Sequence, residues 1–292
     1  LKGLFTAIAT PFSADGKSID YTAYEKLIET QIQAGVQGVV PCGTTGESPT
    51  LSHFEHEELI RKTVELVRRR CLVIGGTGSN STAEAIRLTE RACEAGVDAV
   101  MLVNPYYNKP TQEGLYQHFR NVAQSSSVPV IIYNIKGRTA VNVENETMLR
   151  LLEVERIVAV KEASGDLLQM AELKEKVGER LAILSGDDLL TPGVMSIGGS
   201  GVISVISNVY PQRTGRMVSA FLAGDYALGR KYFYELRSFM EACFWETNPI
   251  PVKAALALRG LCNGILRLPM TALSPPRAKA LADLLERVGA DQ

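Results

Sequence analysis

The sequence has little that points to a polyanionic partner, a disulfide framework or disorder. Its 292 residues include 31 Lys and Arg against 32 Asp and Glu, a formal net charge of -1. This balance does not favour binding to nucleic acid or to an anionic membrane. The five cysteines are odd in number and include no C-x-x-C pair, which argues against disulfides or a zinc site and favours a reduced compartment. Because 46% of the residues are hydrophobic, a folded chain is expected rather than a disordered one. The charge balance favours a small-molecule ligand over a polyanion.

Membrane and targeting signals are also weak. Residues 189–212 carry no charged side chain and are long enough to cross a bilayer, but Pro192 and Pro211 favour a helix followed by a strand. No signal peptide is predicted, because Lys2 is not followed by a continuous apolar core. The expected location is the cytoplasm. Since residue 1 is Leu, removal of an upstream transit peptide stays open, and with it the plastid stroma.

Short β-type apolar runs alternate with helical patterns along the chain. This alternation, at the spacing of one strand plus one crossover helix, is typical of a parallel sheet, and eight such units predict a (β/α)8 TIM barrel. A doubly wound open sheet is the alternative, but no G-x-G-x-x-G motif opens the first helix. The eight runs are 4–10, 38–41, 72–75, 99–103, 130–133, 157–160, 181–184 and 202–206.

The strand signals stop after residue 210, and three helices are predicted at 212–246, 249–264 and 275–288. We therefore expect a barrel catalytic domain over residues 1–225, followed by a C-terminal helical region, 226–292, packed on the barrel. No low-complexity linker separates the two.

Two helices have matching start signals. Ser52 with Glu55, and Ser81 with Glu84, have the spacing of a capping box, in which the two residues satisfy each other's backbone N–H groups.

Polar residues follow the predicted strands at their carboxyl ends, where barrel active sites lie. Lys161 ends an apolar run, and burial there would lower the pKa of its amine and let it attack a carbonyl to form a Schiff base. Tyr133 ends the preceding strand and could relay protons. The alternatives are a solvated lysine and a core aromatic.

Three further side chains could bind carboxylates. Thr44 and Thr45 lie in a strand-to-loop turn, with hydroxyl and backbone N–H donors. Arg138 could hold a second carboxylate through two parallel hydrogen bonds. The alternatives are an ordinary turn and a solvated arginine.

A metal site is not favoured. Asp187 and Asp188 suit a helix N-cap before Leu189 better than metal ligation. His53 and His56 lie one turn apart, but no third ligand is evident.

In combination, these residues resemble the class I, pyruvate-dependent lyases, the family that includes dihydrodipicolinate synthase and N-acetylneuraminate lyase. The resemblance spans the whole chain, and the double threonine and Gly-Arg-Thr are more similar to the synthase branch. The matching motifs are Gly-Thr-Thr-Gly-Glu at 43–47, Pro-Tyr-Tyr at 105–107, Tyr-Asn at 133–134, Gly-Arg-Thr at 137–139, Val-Lys-Glu-Ala-Ser at 160–164 and Leu-Ser-Gly-Asp-Asp at 184–188.

The resemblance implies a (β/α)8 fold and a reaction in lysine and diaminopimelate biosynthesis. Lys161 would form a Schiff base with pyruvate, and Tyr133, Thr44 and Tyr107 would relay protons. Thr45 would bind the pyruvate carboxylate. The enamine would then attack L-aspartate 4-semialdehyde to give 4-hydroxy-tetrahydrodipicolinate.

The resemblance also implies the remaining parts of the site. Arg138 would hold the carboxylate of the second substrate, and Gly186 and Ile203 would line the pyruvate pocket through their main chains. No metal or organic cofactor is needed. Tyr107 would enter the active site of a neighbouring subunit, so a homodimer, usually doubled into a tetramer, is implied.

A second site, for feedback inhibition by L-lysine, is implied as well. Pro49 stands among its residues, where relatives often have a small residue. The residues implied for this site are Ser48, His53, His56, Asn80, Glu84 and Tyr106.

One departure affects the loop before Arg138. Relatives usually have proline where this chain has Lys136, so the loop gains freedom in φ and a charge. The alternatives to the synthase are a sister lyase acting on a 2-keto-3-deoxy sugar acid or N-acetylneuraminate, a silent barrel that binds lysine or acts as a scaffold, and a metal-dependent aldolase.

Overall fold

A computed structural model describes residues 1–291, and over these residues the chain forms a closed barrel of eight parallel strands. Each strand pairs with the next along the chain, and the first pairs with the last. The predicted fold class is therefore confirmed. The strands are β1 Gly3–Ala7, β2 Gly38–Val40, β3 Leu72–Gly76, β4 Ala99–Val103, β5 Val130–Asn134, β6 Ile157–Glu162, β7 Ala182–Ser185 and β8 Gly201–Ser204.

Helices surround the barrel, and the last four of those described follow its last strand. The helices are α1 Tyr21–Gln33, α2 His53–Val67, α3 Thr82–Ala95, α4 Gln112–Ser125, α5 Lys136–Thr139, α6 Asn145–Leu151, α7 Leu167–Val177, α8 Thr191–Ser196, α9 Pro211–Leu222, α10 Tyr226–Ala242, α11 Ile250–Leu258 and α12 Pro275–Val288. Short 3-10 turns lie at Ser48–Thr50 and Ile206–Asn208.

The strands are apolar on both faces because both faces are buried. In β5, Ile131 and Tyr133 belong to the cluster that fills the barrel interior, whereas Val130 and Ile132 pack with the outer helices. Successive side chains of a strand therefore point alternately into the barrel and towards the outer helices. The barrel is a packed core, and its open end at the strand carboxyl termini is left for chemistry.

Two strand boundaries differ from the prediction in ways that affect the site. The sixth run was predicted to end at residue 160, but β6 continues through Glu162, so Lys161 is a strand residue. The eighth strand starts at Gly201, where a Cβ atom would lie 1.9 Å from the carbonyl oxygen of Gly3. Only glycine permits this approach, which closes β8 against β1.

The predicted helix over 212–246 is wrong as a single element, because α9 ends at Leu222 and α10 begins at Tyr226. Gly224 between them has φ of +80°, and the Asp225 side chain accepts a hydrogen bond from the backbone N–H of Leu228 at 2.9 Å. A left-handed glycine and an N-cap are the usual way to end one helix and start another.

The uncharged stretch at 189–212 forms α8, β8 and the start of α9, as the helix-plus-strand interpretation predicted. Within the described residues, none of the helices has the length and apolar character required to cross a bilayer. The cytoplasmic location stays a prediction.

The C-terminal helices pack on one another and on the barrel: α10 contacts α9, and α12 contacts α10 and α11. The division into a catalytic domain, 1–225, and a C-terminal region, 226–292, stays a prediction. The last residue of that region, 292, lies outside the described part of the chain.

Candidate active site

Lys161 lies inside the barrel mouth, and its neighbour is Tyr133. The two residues face each other in the register between β5 and β6. Each is only 4% exposed, and the Lys161 Nζ atom lies 3.9 Å from the centroid of the Tyr133 ring. The alternative of a solvated lysine is therefore wrong.

Burial changes the proton affinity of both groups. Desolvation lowers the pKa of Lys161 to about 7, helped by the positive charge of Arg138 and opposed by Asp188. Desolvation raises the pKa of Tyr133 to about 12, although Arg138 and a hydrogen bond with Thr44 act in the opposite direction. At neutral pH the amine thus has a substantial neutral fraction, while the phenol stays protonated.

Asp188 is a buried carboxylate that the sequence interpretation treated only as a helix cap. Its Oδ2 atom accepts hydrogen bonds from the backbone N–H groups of Val205 and Ile206, at 2.9 and 3.1 Å. Burial raises the pKa of Asp188 to about 6. Because its charge acts on Lys161, Asp188 belongs to the electrostatic surroundings of the reactive amine.

The predicted cap at 187–188 is accordingly wrong. The Asp187 side chain accepts a hydrogen bond from the N–H of Leu189 at 2.9 Å, but this is a local turn. Helix α8 begins two residues later, at Thr191.

Thr44 and Thr45 lie in a tight turn after β2, residues 43–47, which we call the threonine turn. Thr44 lines the cleft above the barrel. Thr45 is buried, and its Oγ1 atom accepts a hydrogen bond from Asn248 Nδ2 at 3.0 Å. Asn248 had no place in the predicted site, because 203 positions separate it from Thr45.

Arg138 lies on α5 and also lines the cleft. Its guanidinium donates a hydrogen bond to the carbonyl oxygen of Asn248 at 3.3 Å. Lys136, where the sequence resemblance implied a proline, is the exposed first residue of α5. The helical turn therefore keeps Arg138 at the cleft without that proline.

Gly186 and Ile203 complete the wall around the lysine. The N–H of Gly186 donates to the carbonyl of Glu162 at 2.7 Å, and a Cβ at Gly186 would lie 3.1 Å from Lys161 Cγ. The same Cβ would lie 2.8 Å from Ala163 Cβ, so a side chain at this position would crowd the end of β6. Ile203 lies on β8, is buried, and belongs to the interior cluster that includes Tyr133.

Tyr107 lies apart from these residues. It is 90% exposed, with φ of +75°, and its side chain is not among those lining the cleft. Its entry into a neighbouring subunit stays a prediction.

One cleft of about 400 Å³ is lined by residues of both predicted sites, although Lys161 is not among its lining residues. At its inner end lie Thr44, Tyr133 and Arg138. At its outer end lie the side chains of Ser48, His53, His56, Glu84 and Tyr106.

The capping box predicted for Ser81 and Glu84 is only half formed. The Ser81 side chain accepts from the Glu84 N–H at 3.5 Å, but the Glu84 carboxylate hydrogen-bonds to Ser79 and to His53 Nε2, the latter at 2.8 Å. These contacts lower the pKa of Glu84. At the start of α2, in contrast, both hydrogen bonds of the Ser52–Glu55 capping box are present.

His56, unlike the exposed His53, is buried. The His56 Nε2 atom lies 2.8 Å from the carbonyl oxygen of Gly76, and burial lowers the pKa of His56 to about 4. Asn80 Nδ2 donates to the carbonyl of Tyr106 at 3.1 Å. No three His, Cys, Asp or Glu side chains in residues 1–291 are grouped as metal ligands would be.

The chain is similar over its whole length to known enzymes. A model of the Dihydrodipicolinate synthetase family matches residues 1–288. A curated 4-hydroxy-tetrahydrodipicolinate synthase from Leptospira biflexa serovar Patoc is 56% identical over 273 residues, or 94% of this chain and 92% of the relative. The crystal structure of dihydrodipicolinate synthase from Aquifex aeolicus matches with a TM-score of 0.96 and 44% identity, covering 98% of each chain.

The closed barrel, with a buried amine at the carboxyl ends of its strands, defines this protein as a (β/α)8 barrel enzyme. The chain belongs to the dihydrodipicolinate synthetase family. It is a lyase with the synthase function of that family, and the resemblance seen in the sequence is confirmed.

Proposed function

We propose that this enzyme condenses pyruvate with L-aspartate 4-semialdehyde through a Schiff base on Lys161, giving 4-hydroxy-tetrahydrodipicolinate. The observation that carries the proposal is the burial of Lys161 against Tyr133, which lowers the pKa of the amine to about 7. A neutral amine is the nucleophile that Schiff-base formation requires.

The first half of the reaction forms the nucleophilic enamine. The Lys161 amine attacks C2 of pyruvate, water leaves, and the resulting imine loses a proton from C3. Thr45 binds the pyruvate carboxylate in this scheme. Tyr133, Thr44 and Tyr107 carry the protons, and the hydrogen bond between Tyr133 and Thr44 supports such a relay.

In the second half, enamine C3 attacks the aldehyde carbon of the semialdehyde. Arg138 holds that substrate's carboxylate through its guanidinium. The substrate amine then attacks the imine carbon, closes the ring and releases the Lys161 amine. The lysine itself acts as the electron sink, so the scheme uses no metal or organic cofactor.

Two solved relatives support the choice of ligands. A dihydrodipicolinate synthase from Acinetobacter baumannii, 40% identical to this chain with a TM-score of 0.96, was crystallised in complex with pyruvate. The enzyme from Cyanidioschyzon merolae, 39% identical with the same TM-score, was crystallised with lysine bound.

Borohydride trapping tests the Schiff base. We expect reduction in the presence of pyruvate to leave a covalent adduct on Lys161, located by peptide mass spectrometry. If the wild-type protein gives no adduct, the proposal is wrong and the silent-barrel alternative gains support. A coupled assay with pyruvate and L-aspartate 4-semialdehyde then distinguishes the synthase from a sister lyase, which would not turn over the semialdehyde.

The role of Tyr107 depends on a second subunit. Its exposure and its positive φ suit a side chain that is held in place by a partner, and we propose a homodimer or homotetramer on that basis. Tyr107→Phe should lower turnover about 10²-fold while imine formation persists. Turnover like that of the wild type would remove Tyr107 from the relay.

The outer end of the cleft is proposed to bind L-lysine as an inhibitor. A cationic amino group suits the Glu84 carboxylate, and a carboxylate suits the polar groups near Ser48 and Tyr106. Glu84→Gln should lose sensitivity to lysine while the uninhibited rate stays near that of the wild type. A flat rate for the wild type up to tens of millimolar lysine would refute inhibition.

A further inference from the structure

A second buried lysine, Lys253 on α11, is not used by the proposed reaction. It is 0% exposed, and its Nζ atom lies 2.6 Å from Oε1 of Glu47, which is 3% exposed. The same ammonium donates to the carbonyl of Thr10 at 2.8 Å and lies 4.3 Å from the centroid of the Phe12 ring. Its two hydrogen-bond partners therefore lie in the segment after β1 and in the turn after β2.

Stability alone does not explain such a pair. Removing two ions from water costs several kcal/mol for each, and apolar residues of similar volume often stabilise as well or better. A buried pair retained at this cost is better explained by the geometry that it fixes. The geometry in question is that of the threonine turn, since Glu47 is the last residue of that turn.

The turn itself is strained and needs external support. Cys42 precedes it with φ of +57°, and Glu47 ends it with φ of +54°. Residues other than glycine adopt this left-handed region at a cost, and they stay in it only where the surroundings determine their conformation. Thr44 and Thr45 lie between these two strained positions.

Thr10 links the pair to the turn from the other side. Its Oγ1 donates to the carbonyl of Gly46 at 2.7 Å, while its own carbonyl accepts from Lys253. The second carboxylate oxygen of Glu47 accepts from the backbone N–H of Arg267 at 3.2 Å. The last two residues of the turn are thus held by the segment after β1 on one side and by the C-terminal region on the other.

We propose that the Glu47–Lys253 ion pair is a positioning device that holds the threonine turn in the conformation required to bind the pyruvate carboxylate. Neither residue touches the reacting atoms. The proposal rests on the proposed function, because pyruvate must be the ligand of the turn.

A neighbouring ion pair provides a matched control. Glu55 and Arg267 also join the barrel to the C-terminal region, with Nη2 of Arg267 2.6 Å from Oε1 of Glu55. Glu55 does not contact the threonine turn, and glutamine at this position would keep the capping box of α2. Glu55→Gln therefore breaks an ion pair of the same region. The Arg267 guanidinium keeps its hydrogen bonds to the carbonyls of Gly16 and Thr50, so its backbone N–H is expected still to donate to Glu47.

The test measures the pyruvate concentration that gives half-maximal borohydride trapping, together with the maximal adduct per chain and the melting temperature. Glu47→Gln is nearly isosteric and should fold. We expect half-maximal trapping to need about tenfold more pyruvate, because small displacements of binding groups have effects of this size or larger, while the maximal adduct stays unchanged.

The double variant Glu47→Gln/Lys253→Met removes both charges and covers the case in which one unpaired charge destabilises the protein. We expect its melting temperature to be near that of the wild type and its half-maximal pyruvate concentration to stay raised. Glu55→Gln should match the wild type in trapping. A normal half-maximal concentration in the double variant, or an equal rise in Glu55→Gln, would overturn the positioning role. No adduct on the wild-type protein would instead overturn the proposed function.

Discussion

Two lysines are buried within residues 1–291, Lys161 and Lys253, and both lie near the mouth of the same barrel. Lys253 forms an ion pair with Glu47 at 2.6 Å. Among the described residues, no carboxylate lies within ion-pair distance of Lys161. Its Nζ atom instead lies over the ring of Tyr133. Burial lowers the pKa of both amines.

The difference between them lies in the partner. A carboxylate at hydrogen-bond distance favours the charged form of Lys253, which opposes the effect of desolvation. At Lys161, the negative charge of Asp188 raises the pKa of the amine, and the positive charge of Arg138 lowers it. A buried lysine therefore becomes a nucleophile or a structural cation according to what lies beside it.

The largest expected effect is at Lys161. Lys161→Met should abolish the pyruvate adduct and lower turnover on the order of 10⁴-fold or more, because the nucleophile is gone. The melting temperature should stay unchanged or rise, since an apolar side chain replaces a desolvated amine. An adduct that persists elsewhere in the chain would show that Lys161 is not the only nucleophile for pyruvate and would contradict its assigned role.

The next effect is on stability, at Lys253. Lys253→Met should lower the free energy of unfolding by about 3–5 kcal/mol, because the Glu47 carboxylate is left buried without a partner. Urea unfolding at one fixed protein concentration measures it. The control is Lys176→Met, whose ion pair with Glu146 at 3.0 Å is exposed and should contribute less than about 1 kcal/mol. Equal losses in the two variants would contradict the comparison.

The pH dependence of trapping tests how charges near Lys161 set the pKa of its amine. Only the neutral amine attacks pyruvate, and the folded pKa of Lys161 is about 7. The trapping rate should therefore fall about tenfold for each pH unit below 7 and level off above it. Asp188→Asn removes a charge that favours the ammonium, so the midpoint should move on the order of one unit towards acid. A shift towards alkali would contradict this assignment.

The smallest effect concerns a third, exposed lysine. Lys136 is the first residue of α5, a position where proline is favoured. Lys136→Pro should stabilise the protein by about 0.4–1 kcal/mol through the unfolded state, with little change in turnover because Arg138 already reaches the cleft. A large change in the KM for the second substrate would mean that Lys136 itself acts at the mouth.

Much of the fold could be predicted from the sequence because it depends on local patterns. The alternation of apolar runs and helical segments predicts eight parallel strands, and each observed strand overlaps its predicted run. The break between α9 and α10 was missed, although Gly224 and Asp225 carry the signal for it. The helical pattern on both sides of these two residues favoured the prediction of one continuous helix.

The site was predictable in part for the same reason. Lys161 and Tyr133 lie next to the last residues of β6 and β5, and Thr44 and Arg138 come four residues after β2 and β5. Their local positions therefore place them at the barrel mouth. Asp188 also follows a strand, but its burial depends on the backbone of residues 205–206, and a local cap was the simpler interpretation. The contact of Glu84 with His53 likewise joins two helices that sequence spacing does not relate.

Local sequence patterns were enough to predict the barrel and the end at which its chemistry lies, because parallel strands bring their carboxyl ends to one side. Which of the two buried lysines has a carboxylate partner depends instead on contacts between distant parts of the chain. Glu47 and Lys253 are 206 positions apart. No local pattern connects them, and they meet only because the closed barrel brings the turn after β2 against α11.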